Sequence, residues 1–250
     1  MKRGRLALLI VAGVLVFAVV LLAYLPASWV AARVPPALQV ACREVGGSVW
    51  EGECLGVTFQ GAKLGDATWN FARLGALRSR LEGDFELRGA VNARAELDLA
   101  LSGSGELRNV KAGFPLDPQV IPQLPPDQRG TITADLKRLV IEQRAPRSLE
   151  GAIELTDLRQ VGARPLELGS YRATFDGKTD ANGVAVGQIR DLGGPFAVEG
   201  TITLTPPNTY VVQGFITGRT AEAERLVREI TLGAAPEASG RSPFAFEGSY

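Results

Sequence analysis

The run LEGDFELRGAVNARAELDLAL, residues 81–101, sets Phe85 and Leu87, then Ala95, Leu97, Leu99 and Leu101, at every second position, with Asp84, Glu86, Glu96 and Asp98 between them. Successive side chains of a strand point to opposite faces, so this period of two predicts strands that are apolar on one face and wet on the other. The same alternation recurs in Ala67-Trp69-Phe71, Ile132-Ala134-Leu136, Ile153-Leu155, Tyr171-Ala173-Phe175, Val184-Val186, Ile202-Leu204 and Tyr210-Val212. Turn formers at Asp176-Gly177, Asn182-Gly183, Gly193-Gly194-Pro195 and Pro206-Pro207-Asn208 predict a meander in the C-terminal half.

A quasi-repeat runs through these strands. Apolar-Glu-Gly occurs at Leu81-Glu82-Gly83, Leu149-Glu150-Gly151, Val198-Glu199-Gly200 and Phe246-Glu247-Gly248. In the first three it continues to Phe85 and Leu87, Ile153 and Leu155, and Ile202 and Leu204, so the Gly falls on the apolar face and the Glu on the wet one. Gly inside a strand marks a bulge or bend, which predicts a curved sheet. One-faced strands then have two solutions, a sandwich or a curled sheet whose apolar side stays partly open.

Two segments break the alternation. Leu116–Asp127 carries four prolines and predicts an irregular loop or a single helical turn. In Thr220–Leu232, Ala223, Leu226, Val227 and Ile230 stand at helical spacing behind Thr220 as N-cap, which predicts one amphipathic helix covering the sheet.

Leu6–Leu25 is twenty residues without a charge, the length that spans the roughly 30 Å hydrocarbon core at about 1.5 Å per residue. A signal peptide's apolar region is shorter, so the run reads as an uncleaved anchor. Lys2, Arg3 and Arg5 precede it, which places the N-terminus in the cytoplasm and everything after Pro26 on the exported side. Tyr24 and Trp29 suit the headgroup layer at the exit. The predicted organisation is a basic N-terminus (1–5), a transmembrane anchor (6–25), a juxtamembrane linker (26–36) in which Pro35-Pro36 stops a short helix, and a β-rich domain (37–250). The fold class is mainly β: one N-terminal transmembrane helix, then a curved antiparallel β-sheet or sandwich with one C-terminal amphipathic helix.

Among 250 residues His is absent, Cys occurs twice and Met only at position 1. Imidazole acid/base chemistry, Ser-His-Asp triads and His metal sites are thereby excluded. The carboxylates fall at alternate strand positions rather than in pairs, the Gly-rich pieces lack phosphate-loop spacing, and no cofactor is expected. With 27 basic and 27 acidic residues, removing Lys2, Arg3 and Arg5 leaves 24 against 27, a net of −3, so no nucleic-acid footprint exists. Cys42 and Cys54 stand either side of a Gly-rich stretch and read as a structural disulfide, suited to an oxidising compartment.

The order of features, Leu25-Pro26-Ala27, then Gly47-Ser48-Val49-Trp50-Glu51-Gly52, then Leu64-Gly65 with Trp69-Asn70-Phe71, resembles the type II secretion system protein N family, also called general secretion pathway protein N. Leu168-Gly169-Ser170-Tyr171, Asp191-Leu192-Gly193-Gly194-Pro195-Phe196 and the closing Phe246-Glu247-Gly248 extend the resemblance along nearly the whole chain. Val49, Trp50, Gly52 and Trp69 are its markers, the two Trp being expected in the core. The resemblance implies a single-pass protein of the bacterial inner membrane with a periplasmic domain, an accessory and non-enzymatic part of the machine that exports folded proteins across the outer membrane. Its partners would be other subunits of that machine and the bilayer through the anchor. Phe85, Leu87, Ile153, Leu155, Ile202 and Leu204 are the candidate interaction face. The alternative is an anchored periplasmic lipid-binding or lipid-transfer protein with an apolar β-groove.

Overall fold

The computed structural model describes residues 10, 13, 14, 16, 17, 20, 21, 23–73, 75, 79–100, 102–121, 124–142, 145–162, 165–180, 183–206, 208–230 and 240–249. Helix α1 (Ala27–Ala31) and a 3-10 turn (Pro36–Leu38) lead into strands β1 (Val40–Ala41), β2 (Glu44–Gly47), β3 (Glu51–Phe59), β4 (Ala62–Phe71), β5 (Arg80–Gly89), β6 (Asn92–Ala100) and β7 (Gly105–Leu116). There follow β8 (Gln128–Glu142), β9 (Ala145–Gln160), β10 (Leu166–Thr179), β11 (Ala185–Asp191), β12 (Phe196–Thr205), β13 (Thr209–Gly218), helix α2 (Ala221–Ile230) and β14 (Ser242–Ser249). From β3 to β14 every strand pairs antiparallel with the next in sequence, while β1 and β2 both pair with β3. The strands thus form one open sheet among the described residues. The sandwich solution is not taken, because from β3 to β14 the hydrogen-bonded pairing runs without a break from each strand to the next in one sheet.

Register shows how the sequence builds two unlike faces. Residues paired directly across strands share a face. One such row runs Cys54–Ala67–Leu87–Ala93–Ala112–Ala134–Ile153–Ala173–Ile189–Gly200–Gly214–Phe244, crossing all twelve strands from β3 to β14. One residue along, on the other face, runs Glu53–Thr68–Glu86–Arg94–Lys111–Asp135–Ala152–Thr174–Gln188–Thr201–Gln213–Ala245.

The glycines of the quasi-repeat lie on the apolar face, as their parity predicts. A Cβ would stand 2.7 Å from Phe71 Cα at Gly83, 2.6 Å from Leu136 Cα at Gly151 and 3.0 Å from Gly214 Cα at Gly200. Neighbouring backbones approach at these three more closely than a side chain permits, and each of the three Glu-Gly steps is a point of close strand contact.

Two expectations are corrected. Asp176-Gly177 is not a turn. It lies inside β10, where Gly177 has φ +81° and the pairing with β11 slips between Phe175 and Thr179, and the Ser148 hydroxyl donates to Gly177 O at 2.6 Å. The long partner strand β9 carries β10 past the Asp-Gly step as a bulge, and the chain reverses at Asp180–Gly183 instead. In β11 the apolar face carries Ala185, Gly187 and Ile189, so Val186 points to the polar side and is exposed. Asn182, Pro207 and Leu101, cited for turns and a strand end, lie outside the described residues.

Helix α2 starts at its Thr220 cap, whose Oγ1 accepts from Ala223 N at 3.1 Å. Ala223 and Val227 bury against Phe196, with Leu168, Val198, Ile216 and Leu226 packed around them, so α2 covers one end of the apolar face. Thr231 and Leu232, the expected end of this helix, are outside the described residues. Cys42 and Cys54 form the disulfide, which fastens the β1–β2 segment to β3. Most of the expected anchor lies outside the described residues, and among the described residues no helix is long and apolar enough to cross a membrane.

Candidate functional site

The central row of the apolar face is a floor of small residues. Eight of its twelve members are Cys, Ala or Gly, and none is charged. Larger side chains stand on both sides. One flanking row is Phe114–Ile132–Leu155–Tyr171, and the other is Val110–Leu136–Gly151–Phe175–Gly187–Ile202–Val212–Phe246. Over β7–β10 the floor is thus a furrow between two apolar rows, and on β11 the first row passes from Tyr171 to Asp191.

The sheet closes toward this side at β11. A Cβ on Gly187 would stand 2.6 Å from the Phe175 ring and 2.9 Å from Ile202 Cγ2, because the two side chains lean over the glycine from the strands on either side. Phe175 is only 3% exposed although among the described residues no second sheet layer lies over it, so its burial comes from neighbours on its own face. Two other aromatics lie over paired glycines in the same way, Trp69 over Gly52 and Tyr210 over Gly248, each with a ring atom 2.6 Å from the absent Cβ. An aromatic laid over a cross-strand glycine hides backbone that would otherwise be wet.

All six candidate interaction residues fall on this face. Leu87 and Ile153 belong to the floor, Leu155 and Ile202 to the flanking rows, and Phe85 and Leu204 to shorter rows beside them. Leu87 is buried and the other five are half-buried, which keeps the face apolar and accessible at once.

The four marker residues form a joint. Val49 N donates to Leu25 O at 3.0 Å, Pro26 bridges to Ser48, and Ser48 Oγ accepts from Trp50 N and Glu51 N. Trp69 Nε1 donates to Ser48 O at 3.1 Å, and Trp50 is 6% exposed. Their chemistry is to hold the chain leaving the apolar N-terminal run against β3 and β4.

The sheet's two edges differ. At the first, the outermost strands are the short β1 and β2, of two and four residues, which the disulfide ties to β3; at the last, nothing among the described residues pairs with the outer side of β14, an eight-residue strand whose Phe246 is 56% exposed. The sequence contains β14 as SPFAFEGS, but an edge is a property of topology and no local signal announces it.

On the polar face a hollow of about 900 Å³ is lined by Arg172, Thr174, Asp176, Lys178, Gln188 and Arg190 among others. Arg172 pairs with Glu154 at 2.9 Å and Lys178 with Asp176 at 3.0 Å. The Lys178 backbone N–H and then its side chain hold the Asp176 carboxyl below the usual carboxylate range, so it stays ionised near neutrality. Among the described residues no group of Cys, Asp and Glu could hold a metal ion.

Sequence reasoning also missed a clamp at the α2 end. Asp191 accepts from Gly193 N and Val198 N and from Arg219 Nη2 at 2.8 Å, while Arg219 also donates to Gly194 O and Phe196 O. The Gly193-Gly194-Pro195 turn is thereby fixed between β11, β12 and the approach to α2.

No curated protein and no solved structure matches this chain. A family model, type II secretion system (T2SS), protein N, matches residues 38–245, so the chain belongs to that family.

Proposed function

We propose that this member of the type II secretion system protein N family is an accessory, non-catalytic assembly module, held in the inner membrane by Leu6–Leu25 with its sheet in the periplasm. The family match supports a role in type II secretion. The anchor is supported by the basic residues before the apolar run and by the exposure of Ile10, Val14, Val16, Phe17, Val20 and Leu21. The disulfide suits an oxidising periplasm.

The observation that carries the reading is the contrast between the edges. A first edge made of two short strands, β1 and β2, and a last edge made of the single eight-residue β14 direct strand addition to β14, where an extended segment of another secretion subunit gains main-chain hydrogen bonds and rests side chains against Phe244 and Phe246. A photo-crosslinking residue at Ala245, in cells that carry the whole machine, tests it. Adducts to a secretion subunit are expected there and not at Glu53, in β3, which is paired on both sides at this residue. Equal labelling at both, or unchanged secretion after deletion of β14 from a folded chain, overturns it.

A further inference from the structure

We propose that the apolar furrow is a lane for the hydrocarbon chains of membrane lipid. It rests on the anchor reading above and is independent of strand addition at β14. From Cys54 to Phe244 the floor takes eleven inter-strand steps, about 53 Å at roughly 4.8 Å each. Over that distance the floor offers no charge and no hydrogen-bonding side chain. A protein partner is fixed by large aromatic or Arg anchors seated in pockets. A floor mostly of Ala and Gly, between walls of Ile, Leu, Val, Phe and Tyr side chains, supplies apolar area with no charged anchor on the floor, which is what a fluid chain can use.

Position favours the same occupant. The joint at Leu25–Pro26 and Ser48–Val49 lies a few residues from Cys54, so the furrow begins beside the exposed apolar run. Around that joint Arg33 lies over the Trp29 ring at 3.4 Å and Arg73 over Tyr24 at 5.9 Å. Aromatic rings and guanidinium groups together are the chemistry of a phospholipid headgroup layer. At its other end the furrow reaches Phe244 and Phe246, whose rings stand 5.6 Å apart on the free edge strand. Near the joint Cys54, Ala67 and Leu87 are covered by Val57, Leu64 and Val91, and from Ala93 to Phe244 the floor is half-buried and uncharged up to the free edge.

The test uses the full-length chain in vesicles of phosphatidylethanolamine and phosphatidylglycerol, with a photo-reactive residue at Ala134 or Ala173 on the floor, or at Asp135 or Thr174 on the opposite face. Lipid adducts, identified by mass spectrometry, are expected from the floor at about ten times the yield from the polar face, the ratio that corresponds to about 1.4 kcal/mol of preference. Equal yields from the two faces, no lipid adduct, or floor adducts to a second copy of the chain overturn the proposal. Ala134→Phe with Ala173→Phe fills the floor; a probe at Val212, nearer the free edge, should then lose most of its lipid adducts while the Cys42–Cys54 bond still forms. If that variant does not fold, the comparison of faces in the unfilled protein still decides. Alkaline extraction of membranes reports on the anchor separately, and crosslinking at Ala245 on strand addition, so each reading can fail alone.

Discussion

Phe175 lies over Gly187, its direct partner on the next strand, with the ring 2.6 Å from where a Cβ would be. The pair explains how a single sheet buries a phenylalanine: the glycine removes the side chain that would hold the ring upright, and Ile202 closes over it from the far side.

Gly187→Ala should therefore displace the ring and cost about 1–3 kcal/mol, the range for overpacking a well-filled site. Phe175→Ala should cost more, about 3–5 kcal/mol. Urea unfolding of the full-length protein in detergent reads both. A neutral Gly187→Ala would show that the ring does not rest on the glycine.

The disulfide should act on the first edge. Loss of Cys42 and Cys54 as a Ser pair removes a loop constraint worth roughly 3 kcal/mol. Hydrogen exchange should rise in β1 and β2, which the bond ties to β3, and remain unchanged in β12–β14. Reductant should reproduce the effect in the native chain and do nothing to the variant.

Acid should loosen the clamp at Asp191. Burial pushes this carboxyl up, but the hydrogen bond and charge of Arg219 and the N–H groups of Val198 and Gly193 outweigh it, so its folded pKa lies below the ordinary value. A depressed carboxylate contributes stability that is present above the unfolded pKa, about 3.9, and is lost as pH falls through the folded value. Asp98, held down by its hydrogen bond from Arg80 and then by that residue's charge, adds in the same direction. Unfolding midpoints measured from pH 6 downward should fall more steeply in the native chain than in Asp191→Asn, which starts lower and changes less.

Alkali should act through Tyr171. Its hydroxyl donates to Leu168 O, and burial, helped by the Asp191 charge, raises its pKa to about 12. Folding then favours the neutral phenol, so the contribution is complete below the unfolded pKa near 10 and is lost as pH rises from there toward 12. Tyrosinate absorbance should show one late-titrating phenol that disappears in Tyr171→Phe. If every tyrosine titrates together near 10, Tyr171 is not shielded.

Much of the sheet was legible because period two is a direct imprint of the pleat. Phe85, Leu87, Ile153, Leu155, Ile202 and Leu204 share a face simply by parity and antiparallel pairing. The choice between a sandwich and one open sheet was not legible, since both bury alternate residues and differ only in which strands meet. Asp176-Gly177 misled because the same dipeptide serves a turn or a bulge, and the length of β9 decides between them. Of the candidate site, the apolar face was visible residue by residue. The furrow was not, because its floor appears only when Ala134 is aligned with Ala112, Ile153 and Ala173 from other strands.

The glycines provide the sharpest separation of backbone strain from crowding. Gly61 and Gly151 both hold positive φ, +84° and +139°, but a Cβ at Gly61 meets nothing within 4 Å, whereas at Gly151 it would stand 2.6 Å from Leu136 Cα. Gly61→Ala should cost only the conformational penalty of about 1–2 kcal/mol. Gly151→Ala carries a conformational penalty too and must also push β8 and β9 apart at the centre of the longest strand pair, so its loss should exceed that of Gly61→Ala by at least the roughly 1–3 kcal/mol of overpacking. The separation should spread along the pair: hydrogen exchange in Gly151→Ala should rise at Asp135, Leu136 and Ala152, whereas Gly61→Ala should leave exchange beyond its own turn unchanged. Equal losses in the two variants would mean that β8 and β9 are free to part at this step, and that the Glu-Gly positions are tolerant turns rather than points of close contact.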